Sequence, residues 1–207
     1  MNVDFWFEFA STYSYPAAMR IERMAAEAGA TVRYRAFLLG PIFREQGWND
    51  SPFNLYPRKG RYMWRDLERV CAGEGIPFRR PSVFPRNGLL AARVACRFAE
   101  APWCAEFVRR VYRANFAEDL DIAAPDTLAR CLEHSGEDPA GLLEEARAPE
   151  AKARLRRQTQ EAAELGIFGA PSFVVAGELF WGNDRLEHAL ARGLEHAAGT
   201  LAREPSR

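Results

Sequence analysis

The chain has 207 residues, 48% of them hydrophobic and 27% charged, and its 28 basic side chains cancel its 28 acidic ones. That length and apolar share suffice for a packed core without covalent staples. Zero net charge leaves no basic footprint for nucleic acid or an anionic membrane, and no apolar run is long enough to span a bilayer, so neither partner is expected.

Residues 1–9 carry acids and run straight into a strand, with no charged n-region, apolar h-region or cleavage site, so a cytoplasmic location is expected. Val3, Phe5, Phe7 and Phe9 fall on one face and Trp6 on the other, as in a well-buried strand. After Ser11-Thr12-Tyr13-Ser14 a helix is predicted. Pro16 suits its first turn, Ile21, Met24, Ala25 and Ala28 keep helical spacing, and Gly29 stops it. Thr31 to Leu39 alternates Val32, Tyr34, Ala36 and Leu38 against Arg33, Arg35 and Phe37 as a second strand. Such a strand-helix-strand unit crosses over right-handed, which makes its strands parallel.

From Gly40 to about Arg58, glycine, proline and asparagine break every period and predict a loop, either a lid or a packed connection. Helices are predicted over 59–75, 89–99, 103–116, 126–134, 139–146 and 150–165, with nothing between them that alternates like a strand. Residues 172–176 and 178–181, hinged at Gly177, read as a hairpin, and 183–198 as a closing helix. This order predicts an α/β thioredoxin-like fold. Residues 1–40 and 166–207 would form the thioredoxin-like domain, with an all-helical domain, 41–165, inserted between its βαβ and ββα halves.

In a thiol-disulfide enzyme of that architecture the first strand-to-helix corner carries C-x-x-C, because unpaired N–H groups and the helix dipole stabilise a thiolate there. Here both positions are serine, Ser11 and Ser14. A corner suited to a sulfur anion but lacking one suggests that the sulfur arrives on a small molecule such as glutathione. The chain's own cysteines, Cys71, Cys96, Cys104 and Cys131, are widely spaced and read as buried reduced thiols, with no zinc motif and no metal expected.

Ser11 is the candidate catalytic group, its hydroxyl offered to a thiolate at the helix start, although serine also serves there as an ordinary cap; Ser14 reads as the plain cap. Pro171 opens a strand after Gly169-Ala170. Most X-Pro bonds are trans, and although this context raises the chance of cis the isomer stays open; a cis bond would let the Ala170 backbone pair with a peptide ligand. Trp181, Gly182, Asn183 and Asp184 open the closing helix, where an amino-acid head group could bind; Asp184 with Glu187 also reads as a capping box. Lys59 at a helix start is unfavourable to the dipole and could meet an anion. Asn49, Asn54 and Asn87 could hydrogen-bond a substrate or simply serve turns. Trp48, Phe53, Tyr62, Trp64 and Phe84 could wall a pocket or pack the core.

The segments 7–15, 58–63, 166–171 and 181–185, in that order, resemble 2-hydroxychromene-2-carboxylate isomerases and the related kappa-class glutathione transferases, and the likeness covers essentially the whole chain. The resemblance implies glutathione as cofactor, with its sulfur at Ser11, its cysteinyl backbone on Ala170 and Pro171, and its γ-glutamyl end at Trp181, Gly182, Asn183 and Asp184. It further implies substrate contacts at Asn54 and Lys59, an aromatic or electrophilic small-molecule substrate, and a homodimer. Thr12 departs from the proline usual at that position. The expected chemistry is reversible thiolate addition to an activated double bond. Transferase activity is the alternative, and a non-catalytic peptide- or thiol-binding module the third reading.

Overall fold

The computed structural model describes residues 1–201. The chain begins with β1 (Asn2–Phe7), α1 (Ser14–Glu27) and β2 (Thr31–Ala36). Helices follow: α2 (Leu39–Glu45), α3 (Pro52–Leu55), α4 (Pro57–Gly73), α5 (Leu89–Arg97), α6 (Cys104–Phe116), α7 (Pro125–Leu132), α8 (Pro139–Arg147) and α9 (Pro149–Glu164). It closes with β3 (Ser172–Val175), β4 (Glu178–Trp181), a 3-10 turn (Asn183–Arg185) and α10 (Leu186–Leu201).

The strands form one sheet in the order β2-β1-β3-β4, with β1 parallel to β2 and antiparallel to β3, and β3 antiparallel to β4. Alternation in β1 determines both faces of this sheet. Val3, Phe5 and Phe7 enter the large core with α1, α6 and α10, where the Phe5 ring lies 5.6 Å from Phe173 and 5.8 Å from Tyr34. Trp6 faces the other way, into a smaller cluster with Phe37, Ile42, Ala162 and Ile167 under α2 and α9. Helices therefore cover both faces, which is why β1 is apolar on both.

Three expectations change. The predicted loop over 40–58 holds two short helices. Pro41 and Pro52 occupy first-turn positions where a missing N–H costs little, Ile42 is buried against Trp6 and Phe37, and the Ser51 hydroxyl accepts the Phe53 N–H at 3.3 Å. Strand β2 stops at Ala36 rather than Leu39, because Leu39 already opens α2. The closing helix starts at Leu186, after the 3-10 turn. In the β3–β4 hairpin, Ala176 (φ 51°) and Gly177 (φ 79°) are both left-handed, as a two-residue turn matched to strand twist requires.

Antiparallel β3 starts beside the end of β1, and β4 ends beside the start of β3. The corner after β1, the turn before β3 and the turn after β4 thus meet at one edge of the sheet.

Candidate active site

Ser11 stands three residues before α1. Its N–H donates to the Glu8 carbonyl at 2.9 Å, and its hydroxyl donates to the Ala170 carbonyl at 2.8 Å. Ser14 is not the plain cap that the sequence suggested. Ser14 is the first residue of α1 and caps nothing; its buried hydroxyl donates to Ser11 Oγ at 3.0 Å, while its N–H approaches the same oxygen at 3.4 Å. Ser11 Oγ is therefore the acceptor for the helix start as well as the group facing Ala170. The Ala170–Pro171 bond is cis, which settles the question left open by the sequence. The Ala170 N–H donates to no acceptor among the described residues.

Across the gap, Trp181 is half-exposed and its ring packs 4.8 Å from that of Phe168. The indole crosses Gly169 so closely that a Cβ there would strike Nε1. Gly182, at φ 115°, donates its N–H to the Pro171 carbonyl at 2.9 Å; a Cβ on it would come within 2.6 Å of Asp184 Oδ1. The expected capping box is not formed. Gly182 precedes the 3-10 turn without a side-chain cap, Asp184 is exposed beside Arg185 at 3.3 Å, and Glu187 turns to Arg20 at 3.0 Å. Asn183 is buried, its Oδ1 accepting from Arg20 at 3.1 Å.

The predicted substrate contacts are not joined to Ser11 by any direct bond. Asn54 in α3 donates its amide to both Asp50 carboxylate oxygens at 3.1–3.2 Å, and Lys59 in the first turn of α4 sits over the Tyr56 ring at 5.1 Å. The link to the corner runs through rings: Phe53 lies 6.4 Å from Tyr13, whose hydroxyl donates to Asp66 at 2.8 Å. Trp64 is core, packed by Phe84 at 4.9 Å and Phe78 at 6.5 Å, and Trp48 lies on Phe43, whereas Tyr62 is exposed. Asn87 serves a turn, accepting the Leu89 N–H at 2.9 Å.

The sequence reading passed over Glu8 and did not foresee the state of Thr12. Burial pushes the Glu8 carboxyl up from 4.5 to about 7, against the pull of the Ala10 and Ser11 N–H groups; its Oε2 accepts from Ala10 at 2.9 Å. An acid between Phe7 and Phe9 at the end of a strand was the available signal. Thr12 is buried with its hydroxyl unpartnered. Among the described residues no His, Cys, Asp and Glu cluster could hold a metal.

A mixed sheet whose strand-to-helix corner faces an X-Pro turn defines a thioredoxin-like protein of the DsbA type. The chain belongs to that family: the DSBA-like thioredoxin domain matches residues 2–192. Among its relatives, a 2-hydroxychromene-2-carboxylate isomerase of Pseudomonas putida is 34% identical over 209 residues, spanning 99% of this chain and 97% of the relative. Glutathione S-transferase kappa 1 of Homo sapiens is 28% identical, over 90% and 88% of the two chains. The solved structure of a 2-hydroxychromene-2-carboxylate isomerase superposes with a TM-score of 0.82 at 31% identity, covering 98% of this chain and 97% of that one.

Proposed function

We propose that the chain is a glutathione-dependent isomerase of 2-hydroxychromene-2-carboxylate or a related aromatic-degradation intermediate, with Ser11 as its catalytic group. The observation that carries this reading is the Ser11 hydroxyl, 2.8 Å from the Ala170 carbonyl at the edge where relatives of the fold with a C-x-x-C motif would present a thiol. The corner offers a donor and no sulfur, and the four cysteines of the chain are buried elsewhere. The names of the relatives support the same choice.

Glutathione fits the residues present. The Ala170 N–H can meet a cysteinyl backbone, the glycines at 169 and 182 let Trp181 and Asp184 close against the turns that carry them, and Asn183 with Asp184 offers a donor and an anion to an amino-acid head group. Bound glutathione would supply a thiolate able to add to, and leave from, an activated double bond. Ser11 releases the Ala170 carbonyl and turns its O–H toward the sulfur. Ser14 continues to donate to Ser11 Oγ, which strengthens that O–H as a donor. In this reading residues 1–40 and 166–207 hold the thiol, and residues 41–165, through Asn54 and Lys59, face the substrate; the active form is a homodimer.

The test is conversion of chromene carboxylate with and without glutathione. Turnover should require glutathione without consuming it, and Ser11→Ala should lower kcat roughly 100-fold, the order seen when one oxyanion donor is lost. Steady thiol consumption would instead favour the second reading, a conjugating transferase, to which the kappa-class relative points. No isomerisation and no conjugation would remove both.

A further inference from the structure

Arg20, in the second turn of α1, is buried although it is charged. Its Nη1 donates to Glu74 at the end of α4 at 2.8 Å and to Glu187 in α10 at 3.0 Å. Its Nη2 donates to both oxygens of Asn183, the carbonyl at 3.3 Å and Oδ1 at 3.1 Å. One guanidinium thus ties three helices to the turn that follows β4. Its charge is answered by two carboxylates, so it is not a free cation awaiting an anionic ligand.

The contact with Asn183 has a chemical consequence. An amide side chain has one acceptor end and one donor end, and a guanidinium has only donors. With Arg20 on Oδ1, the NH2 end of Asn183 must point away from Arg20, and it finds no acceptor in the described chain. The next residue along the 3-10 turn is Asp184, whose carboxylate is exposed, and Gly182 precedes Asn183. A donor next to an anion is the complement of a zwitterionic amino-acid head, carboxylate to NH2 and ammonium to Asp184.

We propose that Arg20 is a positioning residue for recognition of the γ-glutamyl end of glutathione: from helix α1 it holds the Asn183 amide with its donor end toward the ligand. This rests on the glutathione reading above and adds to it the residue that sets specificity for the head group. Arg20 itself does not touch the ligand. Its loss should therefore be felt only by thiols that carry the γ-glutamyl group.

The test is a cycle of binding constants, measured by calorimetry for glutathione and by competition for cysteinylglycine, which lacks that group. Arg20→Met should weaken glutathione about tenfold and leave cysteinylglycine unchanged, raising KM for glutathione with kcat preserved at saturation. Arg20→Lys, which keeps one donor for Asn183, should restore part of the loss. Because Arg20→Met can also weaken the fold, Asn183→Asp provides a second route. It gives Arg20 a carboxylate partner and so keeps the tie, but replaces the NH2 donor with an acceptor; glutathione affinity should fall at least tenfold while thermal stability holds.

Equal losses for both thiols in Arg20→Met, or wild-type glutathione affinity in Asn183→Asp, would overturn the inference while the glutathione reading stands. Wild-type protein that binds no glutathione at all would overturn both.

Discussion

Thr12 puts a hydroxyl into the buried corner where it makes no hydrogen bond. An unsatisfied buried hydroxyl costs about 1–3 kcal/mol, and valine has nearly the same shape without that cost. Thr12→Val should therefore raise stability by about 1 kcal/mol in denaturant unfolding; a loss of similar size would mean that the hydroxyl is satisfied after all. Glu8, four residues earlier, makes the corner sensitive to pH. Its folded pKa, about 7, lies above the ordinary 4.5, so folding favours the protonated form. The contribution to stability is full below pH 4.5 and is lost as pH rises through 7. Glu8→Gln removes this loss. The variant should exceed wild type by roughly 2–3 kcal/mol at about pH 8, with the gap closing toward acid. A gap independent of pH would assign the effect to packing instead. Neither residue's state was legible in the sequence, since an acid or a threonine near a strand end ordinarily faces water, and only the surrounding fold denies it that.

Among elements, legibility followed length and period. Strand β1 and the long helices α4, α6 and α9 repeat their apolar spacing often enough to declare themselves. Helices α2 and α3, with seven and four residues, are too short to show a period; the first is held by a tertiary contact, Ile42 against Trp6 and Phe37, and the second starts on a local cap from Ser51. The corner serine was readable from strand-to-helix punctuation and the Ala170–Pro171 turn from the glycine and proline that precede a strand, whereas nothing in the sequence singled out Arg20. The α3–α4 junction carries its own test. Gly60 is buried within α4, where a Cβ would run into the Phe53 carbonyl of α3. Alanine favours a helix by about 1 kcal/mol over glycine, but overpacking against backbone costs about 1–3 kcal/mol. Gly60→Ala should thus lose about 1 kcal/mol, with faster hydrogen exchange over 52–56 and unchanged glutathione affinity. A net gain in stability would show that α3 can move aside freely.

Over the whole molecule, sulfur chemistry is divided between a chain that buries its thiols and a corner that has none. Cys71, Cys96, Cys104 and Cys131 lie one each in α4, α5, α6 and α7, all free and buried. Burial pushes Cys71 and Cys104 up to about 12 and Cys131 to about 11, and raises Cys96 as well. Thiolate is the reactive species, so at neutral pH these side chains are both shielded and almost wholly protonated. A chromogenic disulfide reagent should therefore find no rapidly reacting thiol in native protein and four after denaturation, and native protein should not reduce insulin. Ser11→Cys is the complementary probe. It should add one fast-reacting thiol at the edge of the sheet, because the site is reachable and lies at a helix start that favours an anion. If a cysteine of the unaltered protein reacted as fast as that one, the chain would hold reactive sulfur of its own, and the argument that the corner depends on a thiol from solution would fail.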